Sequence, residues 1–304
     1  MSRLRALLVC LCFLSLGAQA TPFENSRFES LDGVQVHVRH WPAEGRATGC
    51  PVLLVHGLGG STFSFRQLAP ALAAAGHPVW AIDLPAYGYS AREPFPGTAG
   101  DALGPWLAAR QPGAGWCLLG HSMGTRVVGE LVRRGEIGIE RAVYVAGNPI
   151  LSERELSSRE RYRSPRIRRW LANLAEARYL DEGRFGNLLA KAYGREPSAE
   201  EVAGYLTPLK QPGTALAIMT GYSAEFPVNP RGAELDRIPT LILWGEKDAW
   251  VKPEVADRLQ AALPSARRVT IAGAGHSPME THPEQTRAAV LDLFRGAPAV
   301  ASAR

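Results

Sequence analysis

No apolar run in this sequence is long enough to cross a bilayer as a helix. The longest, residues 6–16, falls well short of the ~20 residues a span requires. Charge of one sign is also scarce: 34 Lys and Arg stand against 29 Asp and Glu, a net charge of +5. Two of those charges, Arg3 and Arg5, lie in a segment expected to be removed, which leaves +3, too mild a balance for a nucleic-acid partner. No internal repeat or low-complexity tract is present, which excludes solenoids and arrays. Histidines and carboxylates do not cluster at metal-ligand spacings, so no metal site is expected. Of only four cysteines, Cys10 and Cys12 fall in the N-terminal apolar run, leaving Cys50 and Cys117.

What is there is an ordinary globular composition, 46% apolar and 21% charged over 304 residues. That is enough to bury one large core, or one core with an inserted subdomain. Two arginines, the apolar run and Gly17-Ala18-Gln19-Ala20 form a secretory signal with an Ala-x-Ala cleavage site. Residues 1–20 are therefore expected to be removed, giving an exported protein, periplasmic or secreted, that starts at Thr21. A permanent membrane anchor is the alternative, and the shortness of the run argues against it.

The body of the chain is organised around residues 116–134. Cys117, Leu118 and Leu119 read as a buried strand, and Val127, Val128, Leu131 and Val132 recur at helical spacing. Between them stands Gly120-His121-Ser122-Met123-Gly124. A Gly-x-Ser-x-Gly turn drives the chain so sharply from strand to helix that the serine is strained and exposed, beside a helix N-terminus. The N–H of Met123 points into the same space, where it would stabilise charge on a substrate oxygen.

Alternation over 34–38 after Asp32-Gly33 predicts an opening β-hairpin, with His37 and His40 as surface-strand residues. Apolar strands follow at 51–55, 79–82, 141–146, 239–244 and 268–271, each closed by a turn and alternating with helical patterns. This predicts an α/β fold: a mostly parallel twisted sheet with helices on both faces. The alternation breaks over 150–234. There Leu171, Leu174 and Tyr179 suggest one helix, Leu188, Leu189 and Tyr193 another, and 215–219 a third. The expected organisation is a core of 21–149 and 235–304 carrying a helical cap of 150–234. Within the cap, Arg154, Arg159, Arg161, Arg163, Arg166, Arg168 and Arg169 face only Glu155 and Glu160. Such a cluster suits an anionic substrate, an acidic surface, or a solvated helix face.

Asp248 and His276 each fall just beyond a strand's C-terminal end, at the sheet edge where Ser122 stands. A serine hydroxyl needs a base, which His276 would supply, and Asp248 would fix the imidazole tautomer. Glu246 is the alternative acid. His56 and His121 lie beside glycine turns and would support them, His77 falls in a loop, and His282 precedes the last helix.

The ordered set His56-Gly57-Leu58-Gly59, the turn at 83–90, Gly120 to Gly124, the Asp248 turn and Gly275-His276-Ser277-Pro278 resembles the α/β-hydrolase superfamily. The likeness is to the serine-nucleophile, esterase- or lipase-like branch with a helical cap after the sixth strand. The resemblance implies an oxyanion hole from the N–H groups of Leu58 and Met123, and no cofactor. Dehalogenases and epoxide hydrolases of the branch carry aspartate at the elbow, and the carbon–carbon hydrolases usually carry Trp after the histidine, where Ser277 stands here. Ala86 replaces a glycine common in the 83–88 turn.

The expected activity is cleavage of a carboxylic ester or related acyl bond of a small-molecule substrate through an acyl-enzyme. The alternatives are a carbon–carbon hydrolase, a cofactor-free haloperoxidase or perhydrolase, and a non-catalytic ligand-binding member. Met219, Tyr222 and Phe226 are expected to line the acyl pocket. Cys50 and Cys117 are expected to stay unpaired: if their neighbouring strands end at Val55 and Leu119, the offset is three residues, too far for a bridge and on opposite sheet faces.

Overall fold

The computed structural model describes residues 21–160, 164–223 and 228–296, so the expected signal segment, 1–20, lies outside the described residues. Alternating side chains make β1 (Ser26–Leu31) and β2 (Val34–Trp41) an antiparallel hairpin around Asp32 and Gly33. The parallel part then builds up through β3 (Val52–Val55), a 3-10 turn at Thr62–Phe65, α1 (Leu68–Ala74), β4 (Val79–Ile82), α2 (Ala99–Arg110), β5 (Trp116–His121), α3 (Gly124–Arg134) and β6 (Ile139–Val145). Six helices follow: α4 (Glu153–Glu160), α5 (Pro165–Tyr179), α6 (Glu182–Tyr193), α7 (Ala199–Leu209), α8 (Thr214–Ser223) and α9 (Gly232–Leu235). The chain then returns to the sheet with β7 (Thr240–Gly245), α10 (Glu254–Ala262), β8 (Arg267–Ile271), α11 (Pro278–Thr281) and α12 (Pro283–Arg295).

The strands form one sheet of order β1-β2-β4-β3-β5-β6-β7-β8. Pairing is antiparallel through β1, β2 and β4, and parallel from β4 to β8. Continuous apolar strands are what a sheet covered on both faces demands. Leu53 and Val55 join Leu103, Leu107, Val128 and Leu259 on one face, while Val52 and Leu54 join Leu68, Leu72, Val290 and Phe294 on the other. Each such side chain withdrawn from water contributes about 1.5–3 kcal/mol. The two-faced core holds the strand ends, and the loops leaving them, in fixed register.

Two expectations are corrected here. Cys50 and Cys117 are joined by a disulfide, with Cα atoms 5.8 Å apart. The pairing register is one residue different from the expected one: Val55 faces Gly120 and Val52 faces Cys117. The offset is therefore two residues, which returns both side chains to the same face. Cys50 also precedes the strand, so Pro51 can turn it back toward its partner instead of extending the line of β3.

His37 is no surface residue. It is fully buried, its Nδ1 lies 2.7 Å from Asp83 Oδ2, and its Nε2 lies 2.7 Å from Ser26 Oγ. The strand alternation expected there ignores that β2 is covered on the Asp83 side, where Val36, His37 and Val38 are buried in succession. His40 is half-buried, stacked on Trp80. His77 is buried as well, bonding the Cys50 carbonyl through Nδ1 at 2.9 Å.

Candidate active site

Ser122 opens the two-residue corner between β5 and α3 with φ +50°, a left-handed conformation that a side chain adopts at a cost of about 1–3 kcal/mol. Its flanking glycines are sterically required. A Cβ on Gly120 would sit 2.5 Å from the Gly124 carbonyl oxygen, and one on Gly124 would sit 2.3 Å from the Val55 carbonyl oxygen. Without side chains there, α3 packs directly across the ends of β3 and β5. The corner is held by Ser122 N–H donating to Val145 O at 2.8 Å, and Ser122 itself is part-exposed.

The β3 turn runs beside this corner, close enough that a Cβ on Gly57 would meet Ser122 Cβ at 2.9 Å. Among the described residues, neither Leu58 N–H nor Met123 N–H donates to a protein acceptor. Two polar groups beside a part-exposed hydroxyl are thus left for a ligand. The turn is braced from behind by His56, which donates from Nδ1 to Gly57 O at 2.8 Å and accepts Leu84 N–H at Nε2, 3.0 Å. Asp83 completes the brace by accepting Thr62 N–H at 2.5 Å and Tyr89 N–H at 2.9 Å, besides bonding His37. Burial works against the Asp83 charge, yet the bond from His37 and the neighbouring imidazoles hold its carboxyl below the usual range. Ala86, where a glycine is common, takes φ +76° and keeps the glycine-type turn.

His276 and Asp248 meet from the ends of β8 and β7. His276 Nδ1 lies 2.8 Å from Asp248 Oδ2, and both side chains are buried. Asp248 Oδ1 accepts the N–H groups of Trp250 and Val251, each at 2.9 Å, so the carboxylate cannot rotate away. With Nδ1–H given to the carboxylate, Nε2 carries the lone pair. Trp250 lies against the imidazole with centroids 5.5 Å apart and planes at 23°. Glu246, the alternative acid, instead accepts Gly273 N–H at 2.8 Å and holds the turn after β8.

The His276 turn is bonded to the elbow itself. His121, the residue before Ser122, donates from Nε2 to His276 O at 3.0 Å, their rings 4.9 Å apart. Burial and then the neighbouring His276 push His121 down to about 3, so it stays a neutral donor. Among the described residues no hydrogen bond reaches the Ser122 hydroxyl.

Sequence reasoning missed the groups that hold His276 from the other side. Its N–H donates to Ala192 O at the end of α6, 2.6 Å away, and Glu280, one turn beyond, is buried among Arg66, Tyr193 and Tyr205. Tyr193 and Tyr205 donate to Glu280 at 2.7 and 2.6 Å, and Arg66 forms an ion pair with it. Burial raises the Glu280 carboxyl even so. No local pattern marks these residues, because the four come from four separate segments.

Beside Met123 opens a cavity of about 190 Å³, walled by Leu84, Phe95, Met123, Val127, Ala217 and Gly221 among others. Of the three expected pocket residues, Met219 packs against the core cluster and is not part of this wall, whereas its helical neighbours Ala217 and Gly221 are. Tyr222 belongs to α8 by its backbone, and Phe226 lies outside the described residues. Among the described residues no group of three His, Cys, Asp or Glu is placed to hold a metal ion, and no helix is long and apolar enough to cross a membrane.

The fold agrees with what comparison with known proteins shows. The family model described as "Alpha/beta hydrolase family" matches residues 52–289, and the chain belongs to that family of hydrolases. It is 27% identical to the uncharacterized hydrolase YugF of Bacillus subtilis, covering 88% of this chain and 96% of that one. A pimeloyl-[acyl-carrier protein] methyl ester esterase of Neisseria meningitidis is 29% identical over 81% of this chain and 93% of its own length. Haloalkane dehalogenase 2 of Mycobacterium tuberculosis is 26% identical over 91% and 96%. A solved structure of a probable hydrolytic enzyme from Pseudomonas aeruginosa superimposes with a TM-score of 0.72 at 20% identity, over 89% of this chain and 94% of that one, a likeness of fold.

Proposed function

We propose that this hydrolase cleaves a carboxylic ester or related acyl bond through an acyl-enzyme, with Ser122 as nucleophile, His276 as base and Asp248 as its orienting acid. The observation that carries the reading is the His276–Asp248 pair, whose turn is bonded to the elbow of the strained Ser122, while among the described residues the N–H groups of Leu58 and Met123 donate to no protein acceptor. In the proposed reaction, Nε2 of His276 takes the Ser122 proton as Oγ attacks the carbonyl carbon, and Leu58 and Met123 N–H receive the charge on oxygen. The imidazolium, steadied by Asp248, protonates the leaving group, and water then repeats the sequence to release the acid. Ser122 favours this over the chemistry of the dehalogenase relative, because a branch that displaces halide uses aspartate at that corner. The cavity beside Met123 would hold the acyl portion, and the segment 150–234 would act as a cap over the sheet edge.

Labelling by a fluorophosphonate, mapped by peptide mass, tests the assignment. Covalent modification at Ser122, lost in His276→Ala, together with turnover of p-nitrophenyl esters, is expected. Labelling without turnover of any ester would point to the carbon–carbon or perhydrolase alternatives, and no labelling to a non-catalytic member. We also propose export through residues 1–20. The Cys50–Cys117 bridge supports it, since such bridges persist in oxidising compartments. N-terminal sequencing of the cell-fractionated protein should read from Thr21.

A further inference from the structure

Helix α5 is fifteen residues long, yet only Ala172 in it is buried. Its inner side, around Ala172 and Ala175, packs on α8 and α6. The opposite side is apolar as well. Ile167, Trp170 and Leu174 recur at helical spacing and are 42%, 62% and 47% exposed, continued by the exposed Ala177. Leu156 of α4, which also packs on α8, is exposed too. A solvated helix face would be polar at these positions.

Arginine borders the stripe on both sides: Arg166 and Arg169 along one edge, Arg178 along the other, all exposed. Among the described residues, neither Arg166 nor Arg169 forms an ion pair. Over 153–179 eight arginines stand against four glutamates, a local +4 in a chain whose total is +5. Exposed Arg166, Arg169 and Arg178 thus flank one exposed apolar stripe with a tryptophan at its centre.

We propose that α5 is a docking face for an anionic lipid bilayer surface. It would lie in the interface plane with Ile167, Trp170 and Leu174 below the headgroups and the arginines among the phosphates. The indole suits this level because it has an apolar body and one N–H for the wet side, and long arginine stems cover apolar surface while their heads reach anions. Because the inner side of α5 is already packed, the helix is presented ready-formed, without an ordering cost on binding. A protein partner of like shape would need acidic groups matched one by one to the arginines, whereas a lipid surface supplies phosphates at every position. The proposal stands apart from the esterase reading and is unaffected by its failure.

The test is flotation of the full protein with vesicles of phosphatidylcholine alone and of phosphatidylcholine mixed with phosphatidylglycerol. Co-flotation with the anionic vesicles, weakened by added salt and absent with phosphatidylcholine alone, is expected. Trp170→Ala and the pair Arg166→Gln and Arg169→Gln should each weaken it about tenfold, while p-nitrophenyl ester turnover or fluorophosphonate labelling stays at the wild-type level. The pair Ile167→Ser and Leu174→Ser repeats the test without touching the indole or the charge. Failure to float, or flotation that none of the three variants reduces, overturns the proposal. So does sedimentation showing a dimer that Trp170→Ala dissociates, since a second copy then covers the stripe.

Discussion

The N–H of His276 donates to the carbonyl of Ala192 at 2.6 Å, so the turn that carries the imidazole is bonded to the C-terminal end of α6. The approach is tight: a Cβ on Gly275 would come within 2.4 Å of that same oxygen. Tyr193, which follows Ala192, and Glu280, four residues beyond His276, repeat the link through side chains. Helix α6, between β6 and β7, is thus tied to the turn that carries His276.

Removing the Tyr193 hydroxyl should show this coupling. Tyr193→Phe leaves the buried Glu280 with one donor fewer and is expected to cost about 1–3 kcal/mol in urea unfolding. Turnover of a p-nitrophenyl ester should fall several-fold in kcat with KM nearly unchanged, because the loss acts on the placement of His276. A variant with full kcat would show that α6 does not position the base.

The three proposed catalytic groups are expected to act as a unit. Ser122→Ala should abolish turnover, with His276→Ala and Asp248→Asn each lower by several orders of magnitude. The double variant of Ser122 and His276 should be no worse than Ser122→Ala alone. Additive losses in that comparison would mean that the residues contribute separately.

Acyl preference is expected to respond at Gly221. Among the described residues nothing lies within 4 Å of the position where its Cβ would lie, and it borders the cavity beside Met123. Gly221→Leu should therefore fill the cavity and reduce kcat/KM for longer acyl esters on the order of tenfold relative to acetyl esters. Fluorophosphonate labelling of Ser122 should keep its rate, which a graded p-nitrophenyl series alongside the labelling assay will check.

Acid should loosen the contact between α7 and the core. The paired bonds from Arg195, against the opposing effect of burial, hold Glu201 at about 2, and Ser198 N–H and Arg66 add to them. A carboxylate depressed from its usual 4.5 contributes stability that is complete above about pH 4.5 and lost as the pH falls toward 2. Wild type should exceed Glu201→Gln in unfolding free energy at pH 6, with the gap closing by pH 2. A gap that does not change with pH would assign the residue a packing role instead.

The disulfide closes a loop of sequence separation 67, for which chain entropy predicts about 4 kcal/mol of stabilisation. Reduction, or Cys50→Ser with Cys117→Ser, should lower the urea midpoint accordingly. Alkylation of the denatured protein should add no label before reduction and two after. Two labels without reductant would mean that the thiols are free.

Much of this protein was legible one segment at a time. The apolar strands, the glycines at 120 and 124 and the turns that carry Asp248 and His276 follow from local chemistry: a buried parallel strand must be apolar throughout, and a sharp elbow excludes Cβ atoms. The six-helix stretch between β6 and β7 contains each helix marked by Leu171, Leu188 and Ala215. Tertiary structure alone decided the rest. One residue of strand register separates an impossible Cys50–Cys117 bridge from the one present, because a sheet reverses faces at every step. His37 alternates like a surface residue yet is buried, since Asp83 arrives from forty-six positions away to satisfy it. Glu280, Arg66, Tyr193 and Tyr205 carry no common motif, because a buried charge takes its partners from whatever segments the fold packs around it. Helical spacing placed Leu174 on a helix but not on a side of it. Which side of α5 faces α8 and which faces outward is settled only by where the neighbouring helices lie.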